Sequence, residues 1–213
     1  MPRDVKRNYD GAGRRAASAH TRRRILDAAR ALIVETGYLN TTVADVAERA
    51  GVSVATVYEL VGRKATILRE LIEHAISGTD QTVAADDRAY VSAISAEPDA
   101  ASKLALYAAA VTEILKRMAP LYLALRDASA TEPDAYAVWT DISERRAANM
   151  ARFAADLAST GQLRGDLDIG DVADAIWATN SAEFYVLLTV DRGWSPEHFR
   201  EWLTDGWQRL LLD

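Results

Sequence analysis

The sequence predicts an all-α protein, and three observations carry that reading. Apolar residues recur at three- and four-residue spacing through most of the chain after residue 20, as helix faces require. Helix-start chemistry precedes several of these runs: Thr42 with Asp45, Ser53, and Ser195-Pro196-Glu197. Glycines stand where runs end, at Gly37, Gly51 and Gly161.

Residues 1–20 carry Arg3, Lys6, Arg7, Arg14 and Arg15, with Val5 and Tyr9 as almost their only large apolar groups. Such a segment buries too little surface to offset its ordering entropy, so it is expected to be a flexible basic arm. From Thr21, Ile25, Ala28, Ala29, Leu32 and Ile33 define one apolar face. Gly37 stops that helix, and Tyr38 and Leu39 are expected to return to the core. Thr42 and Asp45 have capping-box spacing. A short helix burying Val43, Val46 and Ala47 follows, then a turn at Ala50-Gly51-Val52, with Val52 filling the gap between helices. Ser53 caps the next helix, where Val57 faces inward and Val54, Ala55, Thr56 and Tyr58 face out. Two short helices about a glycine turn form a helix-turn-helix pattern.

Further helices are expected at 66–77, from Pro98 through Leu115, at 121–128 after a break at Pro120, at 136–157, at 168–189 and at 195–211. The stretch 78–97 reads as a helix end plus a loop. The last two helices carry apolar residues around more of their circumference than one internal face needs, as a subunit interface requires. The alternative is that Trp177, Trp202 and Trp207 fill a monomer core.

Charge is unevenly placed. Residues 1–64 hold 12 Lys+Arg and 7 Asp+Glu, whereas the remainder holds 13 and 24. A basic end on an acidic body suits a polyanionic partner. The absence of cysteine excludes disulfides and thiolate metal sites and is consistent with a cytoplasmic location. No apolar run reaches membrane-spanning length, so a soluble protein is expected. His20, His74 and His198 are scattered, no phosphate loop or nucleophile elbow is present, and no carboxylate spacing suggests a metal. Neither an enzyme, a cofactor nor a metal centre is indicated.

The run at 21–64, TRRRILDAARALIVETGYLNTTVADVAERAGVSVATVYELVGRK, resembles the N-terminal domain of the TetR family of transcriptional repressors. The likeness takes in the opening helix, the Gly-Tyr stop, the Thr-Thr cap, the Ala-Gly-Val-Ser turn, Tyr58 and Lys64. It implies three parts: a basic arm (1–20), a three-helix DNA-binding domain (21–65), and a larger helical ligand-binding and dimerisation domain (66–213). It further implies a homodimer through the last two helices that binds a pseudo-palindromic DNA operator and is released by a small-molecule effector.

In the reading helix, Ser53, Val54, Ala55 and Thr56 are short enough for close approach to the major groove, and Ala55 and Thr56 can meet thymine methyls. By resemblance, Thr42, Tyr58 and Lys64 clamp the phosphate backbone; Arg22, Arg23, Arg63 and the arm are expected to carry more of the binding because Leu60 cannot donate to a phosphate. The likeness departs after Tyr58, where Glu59, Leu60 and Val61 replace an aromatic-rich continuation. The implied effector cavity would be lined by Tyr107, Val111, Met118, Tyr122, Trp139, Met150, Trp177, Asn180 and Phe184, with Asn180 and Glu113 as orienting groups. That set suits a hydrophobic or planar effector. Rival readings are a ligand-independent architectural DNA-binding protein and a helical small-molecule-binding protein or enzyme.

Overall fold

The computed structural model describes residues 11–79, 83–84 and 87–213. Among these the fold is all-α: a helix-turn-helix domain is followed by a larger helical domain, and the one strand-like feature is an isolated bridge between Leu163 and Leu212. The chain divides into two compact units that meet in sequence between Ile67 and Leu68.

The first unit contains α1 (Gly11–Thr36), α2 (Val43–Ala50), α3 (Val54–Leu60) and the first turn of α4 (Lys64–Ser77). Ile25, Ala29, Ile33, Tyr38, Val46, Ala47, Val57 and Ile67 form its core. The expected arm is shortened: residues 11–20 are the opening turns of α1, while 1–10 lie outside the described residues. Ala16, Ala17 and Ala19 favour helix intrinsically, and a buried helix downstream supplies the nucleus from which an exposed segment can propagate. Leu39 does not return to the core; it is exposed, while Val43 and Val52 are half-buried.

The second unit is built around α6 (Ala100–Ser129), against which pack α5 (Ala89–Ala96), α7 (Pro133–Ala158), α9 (Ala182–Val186) and α10 (Pro196–Leu211). Helix α8 (Ile169–Thr179) packs on α7, and a π-helical turn, Leu187–Asp191, follows α9.

Three expectations are corrected. The stretch read as loop contains α5, which buries Ile94 and whose apolar residues are spread around the helix instead of forming one face. Pro120 does not end α6. It is exposed, and Met118, Ala119, Leu121 and Tyr122 are buried on either side, so packing holds the helix across the missing backbone donor. The segment expected as one helix over 168–189 breaks at Asn180. Ser181 starts a new helix by accepting the Phe184 N–H at 3.1 Å. The final helix begins as expected, with Ser195 Oγ accepting from the His198 N–H at 3.1 Å and Pro196 next in line.

Candidate functional site

The candidate reading surface is assembled by local chemistry. Thr42 and Asp45 form a reciprocal cap: the Asp45 N–H donates to Thr42 Oγ1 (3.1 Å), and the Thr42 N–H donates to Asp45 Oδ2 (2.9 Å). The Thr42 hydroxyl also donates to that carboxylate at 2.7 Å, and these bonds hold the Asp45 carboxyl below its ordinary pKa. Gly51 has φ 65°, a left-handed conformation that turns α2 into α3, and an added Cβ there would meet Arg24 Nη2 at 3.0 Å. Arg24 donates to the Ala50 carbonyl, so α1 braces the same turn. Ser53 Oγ accepts from the Thr56 N–H at 3.1 Å and bonds Thr56 Oγ1 at 2.8 Å.

This frame leaves Ser53, Val54, Ala55 and Tyr58 exposed and Thr56 half-buried, and anchors the helix through fully buried Val57. Tyr58 is 51% exposed, so its phenol is available to a partner. Arg23 and Arg63 are also exposed. Arg22 is half-buried, and its Nε donates to the Leu60 carbonyl at 3.1 Å, tying α1 to the end of α3. Lys64 is engaged within the domain: its ammonium lies 4.0 Å from the centre of the Tyr38 ring and donates to the Tyr38 carbonyl at 3.0 Å. Of the three departures after Tyr58, Glu59 is exposed, Leu60 is half-buried, and Val61 is buried. Val61 is therefore a core residue, not a lost surface contact.

The second unit contains a partly open cavity of about 340 Å³. Of the nine residues expected around it, Tyr107, Val111, Met118, Tyr122, Met150 and Asn180 line it. Trp139, Trp177 and Phe184 do not: Trp139 neighbours Tyr136, Trp177 lies under the Arg146 guanidinium at 4.4 Å, and Phe184 packs on Phe199 and Trp202. Glu113 is exposed and also stands apart. Aromatic identity at helical spacing cannot tell which face of a helix a ring occupies once several helices surround it.

A polar chain crosses one wall. Arg146 Nε donates to Asn180 Oδ1 at 3.1 Å, Asn180 Nδ2 donates to the Tyr107 hydroxyl oxygen at 2.7 Å, and that hydroxyl donates to Met150 Sδ at 3.3 Å. Burial pushes the Tyr107 phenol well above its usual pKa, keeping it neutral and able to donate. Behind it, Trp207 stacks on Tyr107 at 5.6 Å and donates from Nε1 to Thr179 Oγ1 at 2.8 Å. Trp207 thus belongs to the core, as one of the two sequence readings allowed, whereas Trp202 is 41% exposed.

The sequence reading missed the charged members of the lining: Glu73, Arg88, Arg145, Arg146, Arg152 and Asp156. A signal exists for part of this set. Ile142, Arg146, Asn149, Phe153 and Asp156 repeat at four- and three-residue spacing along α7, so polar groups recur on one apolar-flanked stripe. Among the described residues no cluster of potential metal ligands occurs, and no helix is long and apolar enough to cross a membrane.

Comparison with known proteins agrees with this architecture. Residues 25–71 match the family described as bacterial regulatory proteins, tetR family. A putative transcriptional regulator from Saccharomonospora viridis in complex with choline superposes with a TM-score of 0.68 at 25% identity, covering 91% of this chain and 98% of that one. A putative TetR-family transcriptional regulator from Rhodococcus sp. gives 0.67 at 20% identity, with the same coverage of 91% and 98%. The fatty acid degradation regulator FadR from Bacillus halodurans gives 0.68 at 17%, covering 89% and 94%. Among curated proteins no sequence match is found.

The matched domain and the fold are those of helix-turn-helix transcriptional regulators, a class of DNA-binding proteins and not of enzymes. Residues 25–71 match the TetR family's N-terminal domain, and the whole-chain fold is similar to that of TetR-family regulators.

Proposed function

We propose that the protein is a ligand-responsive repressor that binds a pseudo-palindromic operator as a homodimer and leaves it when a small molecule occupies the second unit. The observation that carries this reading is the pairing, in one chain, of a TetR-type reading domain with a separate helical unit hollowed by a cavity of about 340 Å³, a volume in the range of ligand pockets. That the similar regulator from Saccharomonospora viridis is in complex with choline supports a small-molecule effector.

Val54, Ala55 and Thr56 would enter the major groove, with Ser53, Thr42, Tyr58, Arg23 and Arg63 placed for phosphates. Lys64 and Arg22 contribute chiefly by holding the domain together. The exposed apolar side chains of the C-terminal segments, Trp202, Leu187, Val190 and Leu210, support dimerisation there. An effector that binds better to the geometry unfit for DNA weakens operator binding by the same coupling energy.

Footprinting on the DNA beside its own gene should reveal a two-fold site, one helical turn or more between half-site centres. Ala55→Asp should abolish protection without changing the helical content. Protection indifferent to sequence, or a monomer at micromolar concentration by sedimentation, would overturn this reading in favour of an architectural DNA-binding role.

A further inference from the structure

We infer that the cavity of the second unit is built for an amphiphilic anion, a carboxylate on a small apolar body, with its head group against Arg146. The inference rests on the effector reading above and narrows it to one chemical class.

Four arginines (Arg88, Arg145, Arg146 and Arg152) line the cavity, against two carboxylates, Glu73 and Asp156. Both carboxylates are already engaged: Glu73 with Arg145 at 2.5 Å, and Asp156 with the buried Lys103 ammonium at 2.7 Å. Among the described residues the lining holds more cations than acids, with Arg145 paired to Asp141 as well, at 3.4 Å.

Arg146 is the focus of that excess. Its guanidinium donates to the Asn180 side-chain carbonyl and to the Trp177 backbone carbonyl, and stacks on the Trp177 ring, all neutral partners. Glu183, which acts on it at longer range, is held by Arg126 at 2.5 Å. Burial pushes the Arg146 pKa down. A half-buried guanidinium fixed on neutral partners gains from an entering carboxylate, which it can bind through charge-assisted, bidentate bonds. A quaternary ammonium or other cation would meet the same wall with repulsion.

The rest of the lining suits the other half of such a ligand. Val111, Ile114, Leu115, Met118 and Ile142 present an apolar wall. The effector expected from the aromatic residues alone was hydrophobic or planar; the charged lining adds an acidic head to it.

The test uses the full-length chain and three probes in calorimetric titration: octanoate, 1-octanol and choline. Octanoate should bind about tenfold or more tightly than octanol, the value of one charge-assisted bond, and choline should give no saturable heat. Arg146→Met should erase the preference for octanoate while leaving octanol binding in place, and Arg146→Lys should retain most of it. Octanol or choline binding as well as octanoate does, or no saturable octanoate binding, would overturn the proposal from wild-type data alone. An undiminished preference in a folded Arg146→Met chain would overturn it too. Octanoate binding that leaves operator protection unchanged would instead sink the effector reading and leave the anion site standing.

Discussion

The Lys64 ammonium sits 4.0 Å from the centre of the Tyr38 ring and 3.0 Å from the Tyr38 carbonyl oxygen, fastening the start of α4 to the connection between α1 and α2. A residue read from sequence as a phosphate clamp is thereby also a strut. Lys64→Ala is expected to cost about 1–2 kcal/mol, from a cation–π contact and one charged hydrogen bond. Circular-dichroism melts should show the first unit losing several degrees. A purely DNA-facing role predicts weaker operator binding with an unchanged melt.

The Thr42–Asp45 cap should make α2 acid-sensitive. Hydrogen bonds from the Thr42 hydroxyl and then its backbone N–H hold the folded Asp45 carboxyl below its unfolded pKa. A depressed folded value contributes stability that is present above the unfolded pKa, about 4, and lost as pH falls through the folded one. Asp45→Asn should therefore lower the melting temperature at neutral pH and flatten the decline below about pH 4. Melts from neutral to acid pH compare the two slopes; parallel curves would show that the cap is energetically silent.

Lys103 and Asp156 should behave asymmetrically. Only 3% of the Lys103 side chain is exposed, and its ammonium donates to Asp156 Oδ2 at 2.7 Å and to the Ile94 carbonyl at 2.8 Å. Asp156→Ala strands a buried cation and is expected to cost about 2–3 kcal/mol. Lys103→Met leaves a partly solvated carboxylate and an apolar stem in place, and should cost less than about 1 kcal/mol. Urea denaturation of both variants reads the difference, and equal losses would contradict it.

Pro120→Ala should stabilise the protein. The proline interrupts the backbone ladder within a continuous, packed α6 and points outward, so replacing it restores a donor without disturbing the core. A gain of about 1–3 kcal/mol is expected by chemical denaturation. A loss would mean that the helix requires the bend the ring imposes.

Much of the first unit was legible in the sequence because its information is local. Thr42 with Asp45, Gly51 in its left-handed turn and Ser53 at a helix start act over three or four residues, and each appears where the spacing puts it. The same local reading failed where neighbours outweigh propensity. Residues 11–20 extend α1, Pro120 lies within α6, and Asn180 separates α8 from α9.

The sequence by itself determined the helical class, the reading turn, the outward face of α3 and six of the residues around the cavity. Only the tertiary structure decided that Trp207 belongs to the core behind Tyr107, that Trp139, Trp177 and Phe184 lie off the cavity, and that Arg146 shares a wall with Asn180 and Tyr107. Caps and turns are set by atoms a few bonds apart. A cavity wall is set by which faces of distant helices meet, and that depends on packing the whole unit at once.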